Sequence, residues 1–137
     1  MSGALDGVRV LDLSTLVQGP QAAAMLHDLG AEVLKIELPE IGDMGRHVGV
    51  IEELGTSVFW EACNRGKRSV TLDLRTDAGR EAFLKLVESS DVVLSNFQPG
   101  TLDGWGLGYD DLAAINPRII WAAGSFLGPT GPDALRE

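Results

Sequence analysis

Cysteine is almost absent from this 137-residue chain: Cys63 stands alone. No internal disulfide can brace the fold, and a reducing compartment, by default the cytoplasm, is expected. Long hydrophobic runs are missing as well. Charges interrupt every apolar stretch, which excludes a bilayer-spanning helix and gives no reason to expect a membrane partner. The opening MSGALDGVRV has neither the basic start nor the apolar stretch of a secretory signal. Cations are scarce, with 11 Lys and Arg against 20 Asp and Glu and a net charge of −9. A nucleic-acid partner is not expected, because phosphate binding depends on Lys and Arg neutralising the backbone.

Signature motifs are equally thin. The first strand-to-helix turn, Ser14-Thr15-Leu16-Val17-Gln18-Gly19-Pro20, lacks the three-glycine dinucleotide fingerprint. No glycine lies five residues before Gly66-Lys67, so there is no P-loop. Cys63, His27 and His47 do not share metal-ligand spacing, and no metal is expected. Cys63 reads as a small buried hydrophobe, the two histidines as incidental polar residues, and no serine sits in a nucleophile elbow.

What is present is a globular composition, 45% hydrophobic and 23% charged, in a chain of one-domain length. Five short apolar or β-branched runs predict strands: residues 8–13 (VRVLDL), 32–37 (EVLKIE), 69–74 (SVTLDL), 91–95 (DVVLS) and 118–123 (RIIWAA). Helical spacing predicts helices over 21–29, with Gly30 as the stop, over 77–88, with Phe83, Leu84 and Val87 on one face, and over 109–115. A helical turn is expected at 56–62, and a long loop over 39–55. Alternating strands and helices imply an α/β, doubly wound, mostly parallel Rossmann-like sheet, with VRVLDL and RIIWAA apolar enough to be covered on both faces. The chain closes on GSFLGPTGPDALRE, a Gly/Pro loop with no helix to cover the strand before it, which points to an incomplete domain.

Ligands of open α/β sheets bind at the carboxyl ends of the strands, here the loops 14–20, 38–47, 74–76, 95–100 and 124–131. Arg75 and the segment Asn96-Phe97-Gln98-Pro99-Gly100 put a cation, an amide, an aromatic ring and exposed backbone there, suited to a purine and a phosphate. Residues 65–75 hold four basic side chains and one acid, either a focus for an anion or a solvated strand entrance.

LDGVRVLDLS…QGP, DLGAEVLKIE, the loop Gly42-Asp43-Met44-Gly45-Arg46, NRGKRSVTLDLRTDAGREAF and DVVLSNFQPGTLDGWGLGYDDLAAINPRIIWAAGSF together resemble the class III CoA-transferases. That family includes formyl-CoA and carnitine CoA-transferases and has α-methylacyl-CoA racemase among its relatives. The resemblance covers essentially the whole chain. It implies that residues 1–137 are the amino-terminal part of a large Rossmann-like domain, without the small domain and the carboxyl-terminal part, and that the full-length form is an interlocked homodimer. It also implies a carboxylic acid partner and acyl-CoA as substrate. Val17 and Gln18 would lie against pantetheine and thioester. Leu72, Asp73, Leu74 and Arg75 would hold the adenine and a phosphate, with Asn96, Phe97 and Gln98 lining the same pocket. The loop from Gly124 would approach the acyl group. Two positions depart from the family pattern, Leu38 and Gly104, where relatives often carry basic residues; Arg46 or Lys35 are the nearby cations that could compensate.

In the transferases an aspartate attacks the acyl-CoA to give a mixed anhydride, which the CoA thiolate converts to an enzyme-bound thioester. That aspartate is expected beyond Glu137, and Asp133 does not match it. A racemase of the same superfamily would use a His–Asp base pair, its histidine also expected past the last residue, and a non-catalytic CoA-binding fragment is the third reading. Isolated, the chain is expected to be marginally stable and to self-associate through uncovered edges and apolar faces.

Overall fold

A computed structural model of the chain describes residues 3–134. Five parallel strands form the sheet: β1 (Arg9–Asp12), β2 (Glu32–Glu37), β5 (Arg68–Thr71), β6 (Val92–Ser95) and β7 (Ile120–Ala123), in the spatial order β5-β2-β1-β6-β7. Two strands of two residues each, β3 (Val50–Ile51) and β4 (Thr56–Ser57), make a separate antiparallel pair. The helices are α1 (Gln18–Asp28), α2 (Val58–Asn64), α3 (Asp77–Val87) and α4 (Tyr109–Ile115). Among the described residues no helix is long and apolar enough to cross a membrane.

The period-2 alternation of the strands sorts the core into two layers. Val10, Val33 and Leu94 point to one face and pack with Ala23 and Ala31 around α1. Leu11, Ile36 and Val93 point to the other and meet Phe83, Val87 and Leu112 of α3 and α4. Phe83 and Val87 lie four apart on α3 and are fully buried. Small side chains on α1 let the helix sit close to the sheet; Gly19 is so near that a Cβ on it would fall 2.2 Å from Ser14 Cβ.

Local chemistry sets the boundaries. Thr76 Oγ1 accepts the Gly79 N–H at 3.1 Å and starts α3, so Asp77 is a first-turn acid rather than the cap. Ser57 caps α2 through the Trp60 N–H, and the helical turn expected at 56–62 is a β4 residue pair followed by a helix reaching Asn64. Helix α1 begins at Gln18, before Pro20, since a proline is tolerated anywhere in the first turn, where its missing N–H is not needed. The long loop 39–55 carries a 3₁₀ turn (Met44–Arg46) and one arm of the small β3–β4 pair. RIIWAA departs from expectation: β7 is an edge strand, and Ile120 is 59% exposed, so this strand is not covered on both faces.

The chain first builds outward from β1 to β2 and β5, then returns to place β6 and β7 on the other side of β1. The reversal puts a topological switch between β1 and β6, and the loops leaving those two strands flank the crevice that such a switch opens.

Candidate functional site

Among the described residues, openings along the carboxyl edge of the sheet include the three that follow. One is a cleft of about 410 Å³ between the loops after β1, β2, β5 and β6. Leu72, Leu74, Phe97 and Trp105 supply apolar walls, while Lys35, Glu37 and Asp43 lie at its polar side. Phe97 and Trp105 meet edge to face, with ring centroids 5.8 Å apart. A second cavity of about 290 Å³ opens beyond Phe97 against Gln98, Tyr109 and Trp121. A shallow groove of about 220 Å³ runs past Gln18, Asn96 and Gly124.

Of the site residues expected from sequence, Leu72, Asp73, Leu74, Arg75 and Phe97 share the large cleft. Gln98 faces the second cavity. Gln18 meets Gly124 in the groove, where a Cβ on Gly124 would lie 3.0 Å from Gln18 Oε1. Val17 lines none of the three and is 42% exposed at the tip of the β1–α1 loop. The Asn96 side chain clamps that loop: Oδ1 accepts the Thr15 N–H at 2.8 Å and Nδ2 donates to the Thr15 carbonyl at 2.9 Å.

The basic focus read over 65–75 does not form, because its cations turn to separate acids. Arg65 pairs with Asp28, Lys67 with Asp12 at 2.8 Å and Arg68 with Glu32 at 3.8 Å. Arg75 makes two bonds to Asp73, at 2.8 and 2.9 Å, which hold the Asp73 carboxyl below the usual carboxylate range and raise the Arg75 guanidinium. The 72–75 segment therefore presents a cation that is already neutralised, and the apolar walls dominate the cleft. Leu38 adds to them. Neither nearby cation compensates. Lys35 is buried against Asp43, and Arg46 is bound to Glu37 through both Nε (2.7 Å) and Nη2 (2.8 Å), its guanidinium stacked 3.3 Å over Trp60. No neighbour crowds Gly104.

Beneath the cleft lies a cluster that the sequence reading did not identify. Asp12 of β1 and Lys35 of β2 are partners in the sheet register, both fully buried. Asp12 Oδ2 takes Lys67 Nζ at 2.8 Å and lies 3.6 Å from Lys35 Nζ; Asp43 Oδ2 takes Lys35 Nζ at 2.6 Å. Lys67 also donates to the Pro20 carbonyl and to Asn64 Oδ1. Two acids and two bases make the cluster neutral, as burial demands. Burial pushes the Lys67 ammonium below its ordinary value, and Asp12 pulls it back only in part. The signal in the sequence was a charge inside each of two largely apolar strands, Asp12 in VLDL and Lys35 in VLKIE. The histidines have structural bonds: His27 Nδ1 lies 3.1 Å from the Ala31 carbonyl and His47 Nε2 2.9 Å from that of Ile41. Cys63 is buried.

Glu37 gives a prediction. Burial alone would raise its carboxyl, but bonds from Arg46, Ser69 and the Asp43 N–H outweigh that and bring it down from 4.5 to about 2. A folded-state value below the unfolded one stabilises above pH 4.5, and that contribution disappears as pH falls from 4.5 towards 2. Replacing Glu37 by Gln should cost roughly 2 kcal/mol at pH 7 and flatten the acid limb of a urea-midpoint profile. An unchanged acid limb would rule out this assignment.

Comparisons with known proteins place the chain in a family. The sequence model of CoA-transferase family III matches residues 5–137. The chain is 45% identical to the succinyl-CoA–D-citramalate CoA-transferase of Chloroflexus aurantiacus over 93% of its own length and 32% of the relative's. It is 42% identical to the acetyl-CoA:oxalate CoA-transferase of Acetobacter aceti over 95% of this chain and 33% of that one. The crystal structure of a CAIB/BAIF family protein from Brucella suis superposes with a TM-score of 0.91 at 44% identity, covering 99% of this chain and 37% of that one. The chain belongs to CoA-transferase family III. It spans about a third of the length of the curated relatives it matches.

Proposed function

We propose that residues 1–137 are the amino-terminal part of the large domain of an enzyme that moves coenzyme A between carboxylic acids, and that the carboxyl edge of the sheet is where it holds CoA. The observation that carries this is the cleft at the carboxyl ends of β1, β2, β5 and β6, walled by Leu72, Leu74 and Phe97 in a chain of this family. The adenine is bound between those walls, with Asp73 and Arg75 at the rim towards the phosphates. Asn96 fixes the β1–α1 loop, and Val17 and Gln18 at its tip face the pantetheine and thioester, while Gln98 lines the cavity on the other side of Phe97. The Gly124 loop, held beside Gln18, closes on the acyl group. Charge contributes less than apolar burial here, because Arg75 is shared with Asp73 and position 38 is leucine.

The reaction proceeds through an aspartate supplied from outside these residues. Its carboxylate attacks the acyl carbonyl, and the C–S bond breaks to release CoA thiolate and leave a mixed anhydride. The thiolate attacks the aspartyl carbonyl, freeing the first acid and forming aspartyl-CoA. The second acid repeats the two steps in reverse, leaving with CoA and regenerating the aspartate. The whole enzyme is an interlocked cytoplasmic homodimer; the exposed apolar side chains Val48, Val50, Ile51, Leu54, Val58 and Phe59 support a surface that an assembly covers.

The test is intact-mass spectrometry of the full-length polypeptide after exposure to acyl-CoA. A CoA adduct on one aspartate, removed by hydroxylamine, is expected. CoA transfer without an aspartyl adduct would overturn the covalent route, and epimerisation of an α-substituted acyl-CoA in its place would make the enzyme a racemase.

A further inference from the structure

Three consecutive residues of the β1–α1 loop have their backbone held by side chains from three other places in the fold. Lys35 Nζ of β2 donates to the Ser14 carbonyl. Asn96, after β6, takes both backbone groups of Thr15. Asp43, at the start of the Met44–Arg46 turn, accepts the Leu16 N–H on Oδ1 at 2.9 Å and the Gly45 N–H on the same atom at 2.6 Å, while its Oδ2 meets Lys35 at 2.6 Å. Leu16 has φ +67°, a left-handed conformation that a leucine adopts only when its surroundings impose it. Its side chain and that of Val17 are both 42% exposed, so apolar packing does not hold the tip. The remaining restraint is polar: a fully buried ion pair spent on a loop rather than within a helix or between core layers.

We propose that Lys35 and Asp43 are positioning residues whose ion pair locks Leu16 in the left-handed conformation and so presents Val17 and Gln18 to the ligand. The inference rests on the CoA reading for the identity of that ligand. Asp43 reaches the loop directly, and Lys35 fixes Asp43 while gripping the loop two residues earlier. Gly19, with no side chain, lets α1 pack directly against Ser14. The Lys35–Asp43 pair also borders the large cleft, so the thioester-facing loop and the adenine-facing cleft share one support.

A double-mutant cycle separates positioning from general stability, because glycine takes a positive φ without steric cost. Asp43→Ala, Leu16→Gly and the double variant are compared by acetyl-CoA affinity and by amide exchange at Leu16. Asp43→Ala should speed exchange at Leu16 and weaken acetyl-CoA about tenfold or more; in the Leu16→Gly background the same change should cost only about threefold. Asp43→Asn, which keeps an oxygen for the Leu16 N–H, should give a smaller loss than Asp43→Ala and carries the cycle if the alanine variant does not fold. Equal losses in both backgrounds would overturn the proposal, since a merely structural residue costs the same whichever residue occupies position 16. If the unaltered chain binds no acyl-CoA, the CoA reading fails; the locking of the loop is then judged by exchange, and an unchanged Leu16 rate in the Asp43 variants overturns it.

Discussion

Replacing Asp12 by alanine should cost about 3–5 kcal/mol, a large share of the stability of an ordinary domain. The carboxylate sits between two ammonium groups, Lys67 at 2.8 Å and Lys35 at 3.6 Å, in a cluster closed to solvent. Without it Lys35 keeps Asp43, but Lys67 keeps only the neutral oxygens of Pro20 and Asn64. Its ammonium, already lowered by burial, loses the partner that raised it. The sign follows directly. A lysine whose folded pKa lies below its unfolded value of 10.5 penalises folding at low pH, and the penalty lifts as pH rises through the folded value. The variant should therefore regain stability between pH 7 and 10 more steeply than the parent. Urea midpoints at several pH values measure both effects, and a loss under about 1 kcal/mol with a parallel pH profile would show that the cluster is not the support described.

Gly79→Ala should destabilise by about 2 kcal/mol, although alanine in a helix normally gains up to about 1 kcal/mol over glycine. Gly79 lies in the first turn of α3, and a Cβ there would fall 2.0 Å from the Asp73 carbonyl oxygen and 2.6 Å from its carbon. Those are backbone atoms of the loop that lines the cleft, and they cannot swing aside as a side-chain end could. The helix must move outward, stretching the Thr76 cap (Oγ1 to Gly79 N–H, 3.1 Å) and displacing Leu74 and Arg75. Stability and ligand affinity should fall together. A stabilised variant with intact binding would contradict the close approach.

Fold and site differed in how much the sequence disclosed. Short apolar or β-branched runs marked all five strands of the main sheet, since a strand packed within a sheet carries residues that suit a pleated, buried surface. The exception, RIIWAA, shows why composition misleads at an edge: Ile120 is as apolar as Val10, and only the strand order separates the exposed one from the buried one. The β3–β4 pair was hidden, β3 in the expected loop and β4 in the expected helical turn, because two residues per strand carry no period. The cleft was legible in part through the rule that ligands bind at strand ends, which pointed to Arg75 and Phe97, while Leu72, Asp73 and Leu74 were implied by the family resemblance. Charge was not. A window of four cations looks like an anion site until long-range acids are placed, and Asp28, Asp12 and Glu32 lie 37, 55 and 36 positions from Arg65, Lys67 and Arg68. Asn96 illustrates a subtler limit: its chemistry suits a ligand, but its amide is taken by Thr15.

The most direct measurement is a calorimetric titration of the chain with CoA, repeated with Phe97→Ala. Phe97 forms one wall of the cleft with Trp105 behind it, and removing an aromatic wall that stacks on a base costs about 1–3 kcal/mol. Saturable binding of one CoA per chain, weakened about tenfold or more by Phe97→Ala with the fold intact, is the expected result. Binding that is indifferent to Phe97, or no binding by the folded chain, would contradict a CoA site in this cleft.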